Sequence, residues 1–211
     1  MEHPILFSGN MVRAILDNRK TQTRRIIKPQ PKNVNNWFYH SDYYDNSNGA
    51  FYPDTDNAKP KILKSPYGLK GDLLWVRESL RRYKNLEFLG EEKYTAQYMA
   101  TNTAVPYAPG AKEGWCGVAL WQWKNTACPS IHMPRWACRL TLKITNVRIE
   151  KLQHISIDDI GKEGYYKFSG NPSDEGLYIH QFVKSWDFLN AKRGYSWDNN
   201  PWVWVIEFKV L

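Results

Sequence analysis

The segment Asn18 to Pro31, NRKTQTRRIIKPQP, places five Lys or Arg among hydroxyl and amide side chains within fourteen residues. Two of its residues, Lys20 and Thr23, have types that can do covalent chemistry together. A threonine hydroxyl attacks a carbonyl once a base takes its proton, and a lysine amine is that base when burial lowers its pKa. Glu163, in GKEGY, stands out among many acids only by the glycine that follows it and by its place at the close of a short helix. The plainer readings are a solvated strand edge guarded by Lys and Arg, and an exposed glutamate at a helix end. Period-two alternation puts Lys20, Gln22 and Arg24 on one side of an extended strand and Arg19, Thr21, Thr23 and Arg25 on the other. A site shared by Lys20 and Thr23 therefore requires a turn or bulge between them.

The elements that must position these residues are short. PILFSGNMVRAILDN reads as an entry strand and a helix capped by Ser8 or Asn10, with Val12, Ile15 and Leu16 on one face, ending near Asn18. KTQTRRII is then extended. LLWV, residues 73–76, is a buried strand after a Lys70-Gly71-Asp72 turn, and EEKYTAQYMA holds another short strand. Leu140, Leu142 and Ile144 alternate with Thr141, Lys143 and Thr145 as a half-buried strand. Ser156 with Asp159 three residues on approaches a capping box before Glu163. Ile179, Phe182, Val183, Trp186 and Leu189 form a helical stripe, and Trp202, Trp204, Ile206 and Phe208 share one face of a terminal strand.

These elements predict an α+β fold: a small mixed β-barrel with a few short helices, rather than a doubly wound sheet, because strands and helices do not alternate regularly. The chain of 211 residues is expected to form one domain over residues 1–211. Residues 30–65 and 85–135 read as long, irregular, aromatic-rich insertions.

A net charge of +8 and 15% aromatic residues favour a polyanionic partner with bases to stack on, and a solubilising surface is the plain alternative. Arg19, Arg24, Arg25, Arg77 and Arg135, with Trp136 as a stacking wall, are the candidate ligand contacts. Cys116, Cys128, His132 and Cys138 have the spacing C-x11-C-x3-H-x5-C, without the close pair of common zinc modules, so no metal is expected. No phosphate-binding or dinucleotide-binding glycine motif appears, and no cofactor is expected. No apolar run is long enough to cross a membrane, and the three cysteines and unremarkable N-terminus favour a reducing cytoplasm.

NRKTQTRR resembles the signature of the ASCH domains, a PUA-like barrel family, with Lys20, Thr23 and Arg25 in register and Asn18 where glycine is usual. GDLLWVRES, the helix with KEG and the terminal VWVIEFKVL follow in the expected order. PILFSGNMVRAILDNRKTQTRR, SIHMPRWACR and SWDNNPWVWVIEF resemble ASCH-type proteins of tailed phages and prophages, over nearly the whole chain. The ends and core also resemble the bacterial N4-acetylcytidine amidohydrolases. That likeness implies a PUA-like barrel in the cytoplasm of a bacterial host. It further implies Lys20, Thr23 and Glu163 as catalytic groups acting on an acylated pyrimidine nucleoside or nucleotide. Three functions stay open: such an amidohydrolase, a non-catalytic module for RNA or single-stranded DNA, and an RNA-cleaving ASCH protein. Protein partners are unknown from the sequence.

Overall fold

The computed structural model describes residues 1–32, 34, 36–40, 50–54, 63–84, 94–112, 117–165 and 175–211. Its main sheet has five strands in the order β1-β6-β10-β11-β2. These are β1 (Glu2–Leu6), β2 (Gln22–Ile26), β6 (Leu73–Arg77), β10 (Thr141–Lys151) and β11 (Trp202–Val210). β1 runs parallel to β6, and every other pairing is antiparallel. A three-stranded sheet joins β3 (Asn36–His40), β4 (Ala50–Asp54) and β5 (Leu63–Lys64). Another joins β8 (Tyr94–Tyr98), β7 (Leu80–Lys84) and β9 (Ala127–Cys128). The helices are α1 (Gly9–Leu16), α2 (Ile157–Lys162) and α3 (Glu175–Asn190), with single 3-10 turns between strands. The fold is thus α+β, with a mixed main sheet, two antiparallel sheets and few helices among the described residues. No helix among the described residues is long and apolar enough to cross a membrane.

The ends of α1 follow from its sequence. The Ser8 hydroxyl accepts from the Met11 amide, and Asn18 leaves the helix at φ 56°, a left-handed conformation that asparagine tolerates. Val12 and Ile15 are completely buried and dock on the main sheet, while Leu16 is 40% exposed. The alternation of β10 holds as far as Ile144. A bulge between Ile144 and Asn146 then inserts one residue, so the apolar side continues through Val147 and Ile149.

β11 is buried on both faces, which places it at the centre of the molecule. Trp202, Trp204, Ile206 and Phe208 pack with Val12, Ile15 and the inward residues of β6 and β10. Val203 and Val205 face the other way, onto Ile160 of α2 and Tyr178, Phe182 and Trp186 of α3. Burying each large apolar side chain contributes about 1.5–3 kcal/mol. α3 is rotated relative to the stripe expected from its sequence: Tyr178, Phe182, Trp186 and Asn190 are buried, while Ile179 and Leu189 are 39% and 48% exposed. The inward face follows the i, i+4 row that fits the two valines, with aromatic rings in place of the branched aliphatics.

The two insertions carry regular structure. Strands β3, β4 and β5 occupy the stretch that reads as irregular between residues 30 and 65, with Phe38 opposite Tyr52 and Tyr39 opposite Phe51. Aromatic strand propensity outweighs the surrounding Asn, Asp and Pro. Between 85 and 135, β8 and β9 flank β7, and Leu80, Tyr98, Val105 and Met133 form a separate apolar cluster.

Candidate functional site

β2 is an edge strand, and the chain reaches it through the left-handed turn at Asn18. Pairing with β11 sets Thr23 opposite Ile206 and Arg25 opposite Trp204, on the face of the main apolar cluster. Gln22 opposite Glu207 and Arg24 opposite Val205 lie on the face covered by α2 and α3. The expected alternation therefore holds from Gln22 onward. Lys20 stands before the strand proper, in an antiparallel bridge with Glu163 at the end of α2.

The Lys20 amine is fully buried and donates to Gln22 O at 2.7 Å, Glu163 O at 2.9 Å and Glu163 Oε2 at 2.8 Å. Three acceptors take the three protons of an ammonium. Burial pushes the Lys20 amine below its usual pKa, and the adjoining Glu163 carboxylate pulls against that shift. None of these bonds reaches Thr23. Gly164 makes the approach possible. At φ +89° it turns the chain after Glu163, and a Cβ there would fall 2.8 Å from the Lys20 Cβ and 2.9 Å from the Ala14 Cβ. Ser156 positions α2, and with it Glu163, by accepting from the Asp159 amide at 3.1 Å.

A second buried cation organises the acids. The Arg24 side chain is 1% exposed. It donates to Glu163 Oε1 at 3.3 Å, Asp159 Oδ2 at 2.6 Å and Glu150 Oε2 at 3.2 Å. Arg148 adds a bond to Asp159 Oδ2 at 3.0 Å and pairs with Glu150 and Glu207. The Gln22 amide fits between them with its oxygen 2.6 Å from Arg24 Nη1 and its nitrogen 3.2 Å from Asp159 Oδ1. Burial raises the Asp159 pKa, but Arg24 and Arg148 beside it bring it below the ordinary aspartate value. A buried cation that lost one of these carboxylates would be strongly destabilising.

Beside this network lies a cavity of about 600 Å³. Thr23, Arg24, Arg25 and Glu163 line it, so it wraps the free edge of β2 and meets residues of both faces. Its other walls are aromatic, from Tyr67, Tyr165, Phe182, Trp186 and Trp204, and Lys28 and Arg193 add positive charge. Phe182 stacks on Trp186 with ring centroids 6.2 Å apart, and Tyr165 meets Phe182 edge-on. The Arg25 guanidinium lies over the Phe7 ring and donates to Leu6 O, which ties β2 to the end of β1 at the opposite edge of the sheet. The Nε–H groups of Arg24 and Arg25 are buried without a hydrogen-bond partner. An unpaired buried donor costs about 1–3 kcal/mol, which the fold bears at both positions.

Thus Thr23, Glu163, Arg24 and Arg25 meet at this cavity, and Lys20 stands directly behind Glu163. Arg24 is held by carboxylates rather than presented to solvent. Arg19 donates to Gly164 O at 2.8 Å and to Asp17, and it lines a neighbouring cavity. Arg77 donates to Ile131 O and lies over Trp75, Arg135 pairs with Glu2, and Trp136 stacks on Trp123. Arg77, Arg135 and Trp136 line neither cavity. Of the rejected metal set, Cys116 lies outside the described residues. Among the described residues no cluster of His, Cys, Asp and Glu could hold a metal ion. Sequence reasoning missed Tyr67, Tyr165 and Arg193, and took Phe182 and Trp186 for core alone. Tyr165, two residues after Glu163, was the one signal near at hand. Compared with protein-family models, with curated proteins and with solved structures, the chain matches none.

Proposed function

We propose that this chain recognises a pyrimidine nucleoside or nucleotide, alone or within a nucleic acid, and hydrolyses an acyl amide on its exocyclic nitrogen. The five-stranded sheet, with its edges tied by Arg25, is read as the PUA-like barrel of an ASCH-type protein. The observation that carries the function is the composition of one cavity. Aromatic walls suit a planar base, Lys28 and Arg193 suit a phosphate, and Thr23 shares the cavity with Glu163, whose partner is the buried Lys20.

The chemistry starts from the Lys20–Glu163 contact of 2.8 Å. Substrate entering the cavity excludes water and favours transfer of one proton along this bond, giving a neutral amine and a carboxylic acid. The neutral Lys20 amine, leaving its carbonyl partners Gln22 O and Glu163 O, then takes the proton of Thr23 Oγ1, and that oxygen attacks the acyl carbon. As the carbon–nitrogen bond breaks, Glu163 gives its proton to the departing amine, leaving an acyl ester on Thr23. The ammonium and carboxylate are thereby restored. Water, losing a proton to Glu163, adds to the ester. The acid leaves, and the threonine oxygen regains a proton from Lys20. Arg24 holds Glu163 Oε1 so that Oε2 serves Lys20.

The occupied hydrogen bonds of Lys20 favour a second reading, in which the pair braces the cavity and the base is bound without reaction. The test is incubation of the purified chain with a panel of N4-acylated cytidines, followed by chromatography. Release of cytidine, lost in Lys20→Ala, is expected. Tight binding without turnover would leave only the binding reading, and neither binding nor turnover would sink both.

A further inference from the structure

Glu163 does not close off the site. A second cavity of about 700 Å³ opens on its other side, lined by residues of α1 and α3. Met11, Glu163, Tyr165 and Leu189 line both cavities, so the two are adjoining compartments of one cleft with Glu163 and Tyr165 at their junction. Each compartment is of the size that holds a small ligand. A nucleoside is small enough to sit against Thr23 within the first compartment alone, leaving the second open.

The second compartment has its own character. Arg13, Arg19 and Lys184 supply positive charge, part of which Asp17 on the rim offsets by pairing with Arg19 at 2.9 Å. Both arginines are braced: Arg13 donates to Ala100 O at 2.7 Å, and Arg19 donates to Gly164 O. Phe188, one helical turn after Lys184, is 86% exposed. An exposed aromatic ring four residues from a lysine on one helix suits stacking of a base next to a phosphate.

Resting on the nucleobase reading above, we propose that the second compartment binds the nucleotide adjoining the target base, so that the substrate is a single-stranded polynucleotide. Arg13, Arg19 and Lys184 face the phosphodiester, Phe188 stacks the neighbouring base, and a free nucleoside is a truncated substrate. The charge of +8 then serves to draw in the strand.

The experiment measures binding of the full chain to labelled oligocytidylates of about eight nucleotides, in RNA and DNA form, and to cytidine monophosphate. The expected result is at least about tenfold tighter binding of one or both oligomers, weakened steeply by salt. Phe188→Ala and Lys184→Glu should each weaken the oligomer by about fivefold or more beyond any effect on the monophosphate. The ratio of RNA to DNA affinity identifies the strand. Monophosphate binding with no gain for either oligomer, or oligomer binding indifferent to both substitutions, overturns this inference and leaves the base site standing. No binding of monophosphate or oligomer overturns the base site as well.

Discussion

Replacing Lys20 with Met tests whether the site rests as an ion pair. The substitution keeps the length of the stem and removes a fully buried amine with its bonds to Gln22 O, Glu163 O and Glu163 Oε2. It leaves Glu163, 5% exposed, with a single cationic contact from Arg24 at 3.3 Å. Removing one partner of a buried pair costs about 3–5 kcal/mol, because the other charge is stranded. With a urea dependence of about 2–3 kcal/mol per molar, the unfolding midpoint should fall by about 1–2.5 M. Adding Glu163→Gln removes the stranded charge, so the double variant should recover about 1–3 kcal/mol relative to the sum of the single changes. The assay is urea unfolding followed by circular dichroism at neutral pH, for parent, both single variants and the double. A loss below about 1 kcal/mol in Lys20→Met, or strict additivity in the cycle, would refute the resting ion pair. It would mean that the fold holds a neutral amine beside a protonated acid.

Other consequences follow from neighbouring residues. Gly164→Ala should destabilise by about 2 kcal/mol or more in thermal unfolding, since it forces a left-handed alanine against the Lys20 and Ala14 Cβ atoms. Arg193→Glu, at the wall of the first cavity, should weaken cytidine monophosphate more than cytidine in calorimetric titrations, by about fivefold or more. The pKa of Asp159 lies below the ordinary value of 3.8 in the fold, so its stabilisation is complete above that pH and is lost as pH falls through the depressed value. Unfolding measured from pH 5 downward should show that loss, and Asp159→Asn should flatten it.

What the sequence made legible was local. Ser8 and Ser156 are read as caps because hydroxyls suit N-termini, and Asn18 is read as a turn because its side chain tolerates positive φ. The β10 alternation is visible because one of its faces is wet as far as Ile144. What escaped depended on distant partners. Arg24 reads as a ligand contact when only its neighbours are known, but Asp159 and Glu150, far along the chain, claim its guanidinium. The stripe on α3 is ambiguous because apolar residues occupy more of its circumference than the sheet can cover, and the valines of β11 decide which rows turn inward. The Lys20–Thr23 question had an intermediate answer. The alternation holds from Gln22 to Ile26, Lys20 lies outside the strand in its bridge to Glu163, and its amine bonds Gln22 and Glu163 rather than Thr23.

The central claim is that the Thr23 oxygen attacks an acyl carbon under the control of Lys20 and Glu163. Its most direct test is mass spectrometry of the protein, acid-quenched during turnover of N4-acetylcytidine and digested to peptides. The account predicts an acetyl group on the peptide containing Thr23, absent in Thr23→Val, which should also lose turnover. Cytidine release that persists in Thr23→Val, with no acetyl on that peptide in the parent, would contradict it.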